Sequence, residues 1–317
     1  MRFSRRGFCR RILAASIPMA ASAQDPVFTA DSRVVILSAS VRDASGMLLP
    51  HLDKEDFTLT DNGQPAEIRY FSREVDLPLT IGLLIDTSRS QFEVLERERR
   101  GAYAFLERVL RPERDRAFVM KFDVKVGVLC RPTAELVPLQ KALSEADFPL
   151  KNSQNSTPVE PKKNDYAVGT RLRDCVKQAS DGIMRAAAGR KALLLLTDGV
   201  DAGSRHTLTE AIESAQRSET LVYSILYAAP RRPENDYRQK GLRTLTELAN
   251  QTGGGFFMVS SELPLEKVLD EIQAELRTQY SIGFIPAAGR SGEYRKLRLT
   301  ATREGLTVRT REGYFAK

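Results

Sequence analysis

Apolar and polar positions follow two different periods along this chain, and the change of period divides it. From Arg33 to Glu74 the period is two: Val35, Leu37, Ala39 and Val41 fall on one face of a run, while Phe57, Leu59 and Ile68, Tyr70 flank Asp61-Asn62-Gly63. Asn-Gly between alternating runs predicts a hairpin, because both turn residues take positive φ. Asp43-Ala44-Ser45-Gly46 marks another turn, so this stretch reads as a small antiparallel β unit.

From about Pro78 the rhythm becomes strand, helix, strand. Largely apolar runs at Leu79 to Ile85, Ala117 to Phe122, Ala192 to Leu196 and Leu221 to Leu226 suit strands buried on both faces of a sheet. Helical patterns occupy Gln91 to Leu110, Thr170 to Ala187, Leu208 to Arg217, Leu242 to Gln251 and Leu263 to Gln279. In the last of these, Leu265, Val268, Leu269, Ile272 and Leu276 share one face. Strands and helices alternating at this length predict an α/β fold with a doubly wound, mostly parallel sheet. After Gln279 strand patterns return at Tyr280 to Ile285, Tyr294 to Ala301 and Leu306 to Arg309. Each β region is too short to stand alone, so the expected organisation is an α/β domain over 78–279 inserted into one β-sandwich made of 24–77 and 280–317. Between them Lys151 to Val168, rich in Asn, Ser and Pro, reads as a long loop that ends beside Thr170.

Composition adds little to this picture: at 42% hydrophobic and 28% charged, the 317 residues describe an ordinary globular protein. Charge position is more telling. The formal net charge is +7, yet Arg2, Arg5, Arg6, Arg10 and Arg11 all precede residue 23 with no acidic residue among them, leaving 43 basic against 41 acidic residues beyond. The body of the chain therefore lacks the electrostatic footprint of a nucleic-acid partner. Residues 1–23 read as a signal peptide: a basic stretch, an apolar stretch from Ile12 to Ala20, then Ala21-Ser22-Ala23 as a cleavage site. Ser4-Arg5-Arg6-Gly7-Phe8 is similar to a bacterial twin-arginine signal, the alternative being an ordinary secretory signal. Either route predicts an exported protein, periplasmic or secreted. No later segment approaches the roughly 20 apolar residues of a membrane span, so no transmembrane segment is expected.

Beyond the signal only Cys130 and Cys175 remain, open to a disulfide in an oxidising compartment or to two buried thiols. With His51 and His206 they are too few and too scattered for a closed zinc cluster. Gly253-Gly254-Gly255 precedes the strand-like run Phe256 to Val259 and does not open a helix, so it reads as a turn and not as a dinucleotide fingerprint. His206 has no paired nucleophile and reads as a surface loop residue, and Arg231-Arg232 and Lys162-Lys163 read as solvated charges.

The chemistry concentrates at three element junctions. Leu83-Leu84-Ile85-Asp86-Thr87-Ser88-Arg89-Ser90 places an Asp at the end of a buried strand with two hydroxyls before a helix. By itself this is equally a helix start, since Ser90 and Glu93 have capping-box spacing. Leu196-Thr197-Asp198-Gly199 delivers a second carboxylate at a strand end, and Gly169-Thr170 a third hydroxyl at a helix start. In open α/β sheets such ends converge on the crevice where ligands bind. Two carboxylates and three hydroxyls form a hard oxygen set suited to Mg²⁺, Mn²⁺ or Ca²⁺. Asp201 stands nearby, either supporting the metal ligands or capping the turn.

Asp86-x-Ser88-x-Ser90, Thr170 and Thr197-Asp198-Gly199 together resemble the metal-ion-dependent adhesion site of von Willebrand factor A-type (VWA) domains, which have a Rossmann-like fold. The resemblance covers roughly Pro78 to Gln279. It implies one divalent cation, most simply Mg²⁺, held directly by Ser88, Ser90 and Thr170 and largely through water by Asp86 and Asp198, with a vacant position for an Asp or Glu of a protein partner. The flanks, Leu52 to Phe57 with Asp61-Asn62-Gly63 and Tyr280-Ser281-Ile282-Gly283-Phe284 with Arg309 to Tyr314, resemble exported bacterial proteins carrying this domain. One departure is Arg89, where the family has a small residue: its guanidinium would repel a cation, receive an acidic partner, or point to solvent. The expectation is thus an exported, non-catalytic, metal-dependent recognition module. The alternatives are a divalent-metal hydrolase and a structural envelope protein with a vestigial site.

Overall fold

The computed structural model describes residues 34–73, 77–91, 93–147, 169–227, 236–287 and 290–316, all within one compact unit spanning Arg33–Lys317. The expected signal at 1–23, residues 24–33 and the loop at 151–168 lie outside the described residues, as do Arg231-Arg232 and the side chain of Arg89.

Six strands form the central sheet. β5 (Leu79–Asp86) runs parallel to β6 (Arg116–Phe122) on one side and β8 (Arg190–Thr197) on the other; β9 (Thr220–Leu226) and β10 (Phe256–Met258) continue the parallel array, and β7 (Val126–Thr133) closes the other edge antiparallel to β6. β5 is buried at all of its positions, which is why its sequence, LTIGLLID, does not alternate. Its side chains still divide by parity. Leu79, Ile81, Leu83 and Ile85 pack with α1 (Leu95–Val109), α2 (Leu136–Glu145) and α6 (Leu265–Arg277). On the other face Leu84 packs with α3 (Leu172–Gly182), α4 (Leu208–Arg217) and α5 (Asp236–Thr252). Helices thus cover both faces, and the chemistry falls to the strand ends.

Two local expectations at the first junction are changed. The Ser90-Glu93 capping box does not form, because a short 3-10 turn over Arg89–Gln91 intervenes and α1 begins at Leu95 with Val94 as its N-cap. A working capping box appears instead at α4, where Thr207 Oγ1 accepts from Glu210 N while Glu210 accepts from Thr207 N.

The remaining strands make two four-stranded sheets over a single core. One has the order β13 (Thr307–Arg309), β1 (Val35–Arg42), β11 (Tyr280–Phe284), β4 (Ile68–Arg73); the other has β14 (Gly313–Phe315), β12 (Tyr294–Ala301), β2 (Phe57–Asp61), β3 (Gln64–Ala66). Their inward residues, among them Leu37, Phe57, Leu59, Tyr280, Phe284 and Leu299, form one cluster. Asn62 and Gly63 take φ of 49° and 78° between β2 and β3, the turn geometry that Asn-Gly favours. A buried ion pair fastens the second sheet: Arg295 donates to both oxygens of Asp61 at 2.9–3.1 Å, and Tyr314 Oη adds a further bond at 3.2 Å. Glu275 on α6 ties sandwich to α/β layers by accepting from Arg42, Arg309 and Tyr223. Among the described residues no helix is long and apolar enough to cross a membrane.

Candidate functional site

The carboxyl ends of β5 and β8 bring Asp86 and Asp198 to one crevice, because the two strands pair in register from Leu79↔Arg190 to Ile85↔Leu196. The loop after β8 is set by glycine. Gly199 has φ +79°, and a Cβ there would meet Gly241 O at 2.6 Å, so α5 approaches the backbone beside Asp198 closely. Thr170 is buried just before α3; its carbonyl accepts from Ala202 N at 3.2 Å, and the next residue, Arg171, donates from its backbone to Asp123 O at 3.0 Å. Asp123 in turn accepts from Thr87 Oγ1 at 2.8 Å. Backbone contacts of this kind draw the three junctions into one region.

Within it the polar groups are bonded chiefly to one another. Asp86, fully buried, accepts from Thr197 Oγ1 at 2.5 Å through one oxygen and from Ser88 N at 2.8 Å through the other. Ser88 Oγ and Ser90 Oγ share a hydrogen bond at 2.9 Å. Asp198 accepts from Val200 N at 3.1 Å, and the buried Gln91 amide, with its oxygen and nitrogen assigned by the surrounding groups, bridges Tyr227 O and Asp198 N. Burial, and then repulsion from Asp198, push the Asp86 pKa up to about 7, against the opposing bonds from Ser88 and Thr197. Near neutral pH Asp86 therefore shares its site with a proton.

One acidic neighbour was not foreseen. Glu98 on α1 is fully buried, neither carboxyl oxygen has a hydrogen-bond partner among the described residues, and burial together with the charges of Asp86 and Asp198 raises its pKa well above the ordinary range. A signal for it did exist: Leu95, Glu98, Ala102, Phe105 and Val109 follow helical a/d spacing, which puts a carboxyl in the apolar stripe.

Among the described residues no group of three or more His, Cys, Asp or Glu side chains is placed to hold a metal ion. This overturns three linked expectations: the Mg²⁺ (or Mn²⁺ or Ca²⁺) held by Asp86, Ser88, Ser90, Thr170 and Asp198, the acidic partner residue completing its coordination, and metal-dependent recognition as the function. The physical reason is that four of these five residues are already engaged. Asp86 bonds Thr197 through one oxygen and Ser88 N through the other, while the two serine hydroxyls bond each other. Cations need carboxylates that are ionised and aimed at a common point, and the residues present do not fit that demand.

The other candidates resolve individually. Asp201 caps the turn: burial raises its pKa, but bonds from Arg173 and Ser204 outweigh burial and hold the carboxyl below the usual range. His206 Nδ1 lies 2.8 Å from Asp174 Oδ1, and Asp174 also accepts from the backbone of Arg205 and His206, so this imidazole fastens a loop to α3. Cys130 and Cys175 carry free thiols, and burial pushes the Cys175 thiol far up. Gly253 has φ +86° directly after α5, which makes the glycine run a helix-terminating turn.

Comparison with family models gives no match, and comparison with curated proteins gives none either. Solved structures do show likeness. A von Willebrand factor type A protein from Catenulispora acidiphila is 12% identical over 89% of this chain and 73% of its own, with a TM-score of 0.46. The von Willebrand factor domain of a type V pilus tip protein from Porphyromonas gingivalis is 12% identical over 69% of this chain and 99% of its own, at 0.47. An aerotolerance-related membrane protein from Bacteroides fragilis is 17% identical over 63% and 98%, at 0.44. At these identities the likeness is one of α/β architecture alone.

Proposed function

We propose that this chain is a non-catalytic structural protein of the cell envelope, in which a VWA-like α/β domain serves as a rigid scaffold for protein contact and its strand-end acidic cluster serves the fold. The observation that carries this reading is the internal bonding of Asp86: a carboxyl buried to 0% exposure, bonded by Thr197 and Ser88 and sharing its site with a proton, links the ends of two central strands. Such a cluster specifies how the loops leave the sheet, and that is a structural duty. The export signal read at 1–23 supports the envelope location, and the sandwich provides a second rigid layer beside the scaffold.

The test is thermal unfolding of the mature chain at pH 7.5 with excess EDTA, with millimolar MgCl₂, MnCl₂ or CaCl₂, and with neither. Under this proposal the midpoint is the same in all conditions, because a cation that binds only the folded state raises stability by mass action. A saturable rise with one cation, reversed by chelator and lost in Asp86→Ala, would overturn it.

A further inference from the structure

At the opposite end of the α/β sheet from Asp86 and Asp198, the first residues of β8 and β9 face the outer surface of the β13-β1-β11-β4 sheet across a cavity of about 620 Å³. The register of that sheet lines up three hydroxyls on one row: Ser38 of β1 opposes Ser281 of β11, and Ser281 opposes Ser72 of β4. All three line the cavity. Inward neighbours of the row, Leu37, Ile282 and Phe71, turn the other way and pack with the sandwich core. Small polar side chains on three consecutive strands leave the space open and carpet it with donors.

Charge in the cavity is one-sided. Arg69, Arg190, Lys191 and Arg311 line it against a single carboxylate, Glu219, among the described residues. Two of these cations have visible employment: Arg190 donates to the carbonyls of Leu276 and Gln279, and Arg69 pairs with Glu67 at the exposed rim. Lys191 stands 3.9 Å from Glu219, at the outer limit of an ion pair. Arg311 differs from all of them. It donates from Nη2 to Ile36 O at 2.9 Å, but its Nε is shut off from solvent without a partner, and no carboxylate of the described residues lies within ion-pair distance. Burial lowers its pKa to about 10, against the opposing charge of Glu219 beyond contact distance, so the guanidinium remains charged near neutral pH. A half-buried cation with an unpaired Nε and no carboxylate of the described residues in contact is stabilised by any anion that reaches it. The apolar wall comes from Ile36, Tyr70, Leu77 and Leu221, with Phe71 at its base.

We propose that this cavity binds a small organic oxyanion, with the anionic group on Arg311 and the Ser38–Ser281–Ser72 row and the apolar body against Tyr70 and Leu221. The volume lies within the roughly 300–1,000 Å³ typical of small-molecule sites, and a mostly preformed pocket with a few convergent polar groups is their usual form. The site is independent of the acidic cluster: it uses the sandwich face and the opposite strand ends.

The experiment is a fluorescence titration of the mature protein with anilinonaphthalene sulfonate, an aromatic anion of suitable size, set beside its uncharged counterpart phenylnaphthylamine. We expect saturable one-to-one binding of the anion, at least about tenfold tighter than the neutral compound, as a charge-assisted hydrogen bond implies. Displacement by benzoate or by inorganic phosphate distinguishes a carboxylate ligand from a phosphate one. Arg311→Gln weakens binding about tenfold or more by the same reasoning. If that variant fails to fold by circular dichroism, Ser72→Phe, which fills the cavity from a half-exposed strand position, abolishes binding instead. Equal affinity for the neutral compound, displacement by neither anion, or unchanged binding in Ser72→Phe overturns the proposal.

Discussion

Replacing Glu98 by Met should stabilise this protein, although Glu98 lies among the buried residues of α1. The side chain is fully buried on α1, one turn before Ala102 and two before Phe105, and both carboxyl oxygens lack hydrogen-bond partners among the described residues. Leaving a buried polar group unsatisfied costs about 1–3 kcal/mol. Met has a similar length, no polar atom and enough flexibility to fit the same space. The expected gain is therefore about 1–3 kcal/mol, reduced by any mismatch of shape. Glu98→Gln is the control: it keeps two polar atoms in the same place, so it should gain little at pH 5 and gain at pH 8 only what the lost ionisation is worth. The pH dependence gives a second handle. Burial and the charges of Asp86 and Asp198 raise the folded pKa of Glu98 well above 4.5. A carboxyl that holds its proton more tightly when folded contributes stability fully present below its unfolded pKa. That contribution is lost as pH rises from about 4.5 toward the raised folded value. Glu98→Met removes this slope. The assay is urea unfolding followed by circular dichroism at pH 5, 6.5 and 8, with the midpoint and the slope m both fitted. A Glu98→Met variant less stable than the parent at pH 8 would refute the reasoning, and would mean that the carboxyl has a favourable partner in the folded state.

Two further outcomes follow from the same physical terms. Asp86→Asn removes the charge that Asp198 opposes; with a folded pKa of about 7 against 3.8, full ionisation of Asp86 costs about 4 kcal/mol at roughly 1.4 kcal/mol per pKa unit. Denaturant titrations should accordingly find the variant more stable than the parent at pH 8, with the advantage shrinking as pH falls from about 7 to about 4; an advantage independent of pH would count against it. Asp61→Ala strands the buried Arg295 guanidinium that now makes a two-pronged bond, and should cost about 3–5 kcal/mol. A shift in thermal midpoint no larger than that of a surface substitution would contradict this.

How much of the molecule could be read in advance depended on how local the causes were. The four buried strands were legible because a parallel strand covered on both faces has a continuous apolar run: Leu79 to Ile85 became Leu79–Asp86, and Leu221 to Leu226 became Thr220–Leu226. β7 was legible only in part: a strand ending at Cys130 could be expected, but an edge strand with half-exposed residues such as Val126, Leu129 and Cys130 has neither a continuous run nor clean alternation, and it runs on to Thr133. α2 was missed, and α5 begins at Asp236, six residues before its apolar pattern becomes visible at Leu242. The candidate site divides in the same way. That Asp86 and Asp198 stand at strand ends was readable from the runs preceding them; that the two strands are neighbours was not. That Asp86 would turn to Thr197, and Ser88 to Ser90, was not, because a motif shows which donors are present and nothing about whether they bond each other or a cation. Glu98 was hidden for a simpler reason: a single Glu in a helix rich in Glu and Arg looks solvated until its position on the apolar stripe is counted.

The strand order of the first sandwich sheet determines when it can exist. β1 and β4 do not touch; β11 lies between them and pairs with both, from Val35↔Phe284 on one side and Tyr280↔Arg73 on the other. Strands made early in synthesis thus wait for one made more than two hundred residues later. During that interval the α/β layers can form from contacts closer in sequence, while β1 and β4 keep unpaired edges. The sandwich is therefore a closure put in place last, and the cavity beneath it, floored by the same three strands, comes into being only when the chain has closed.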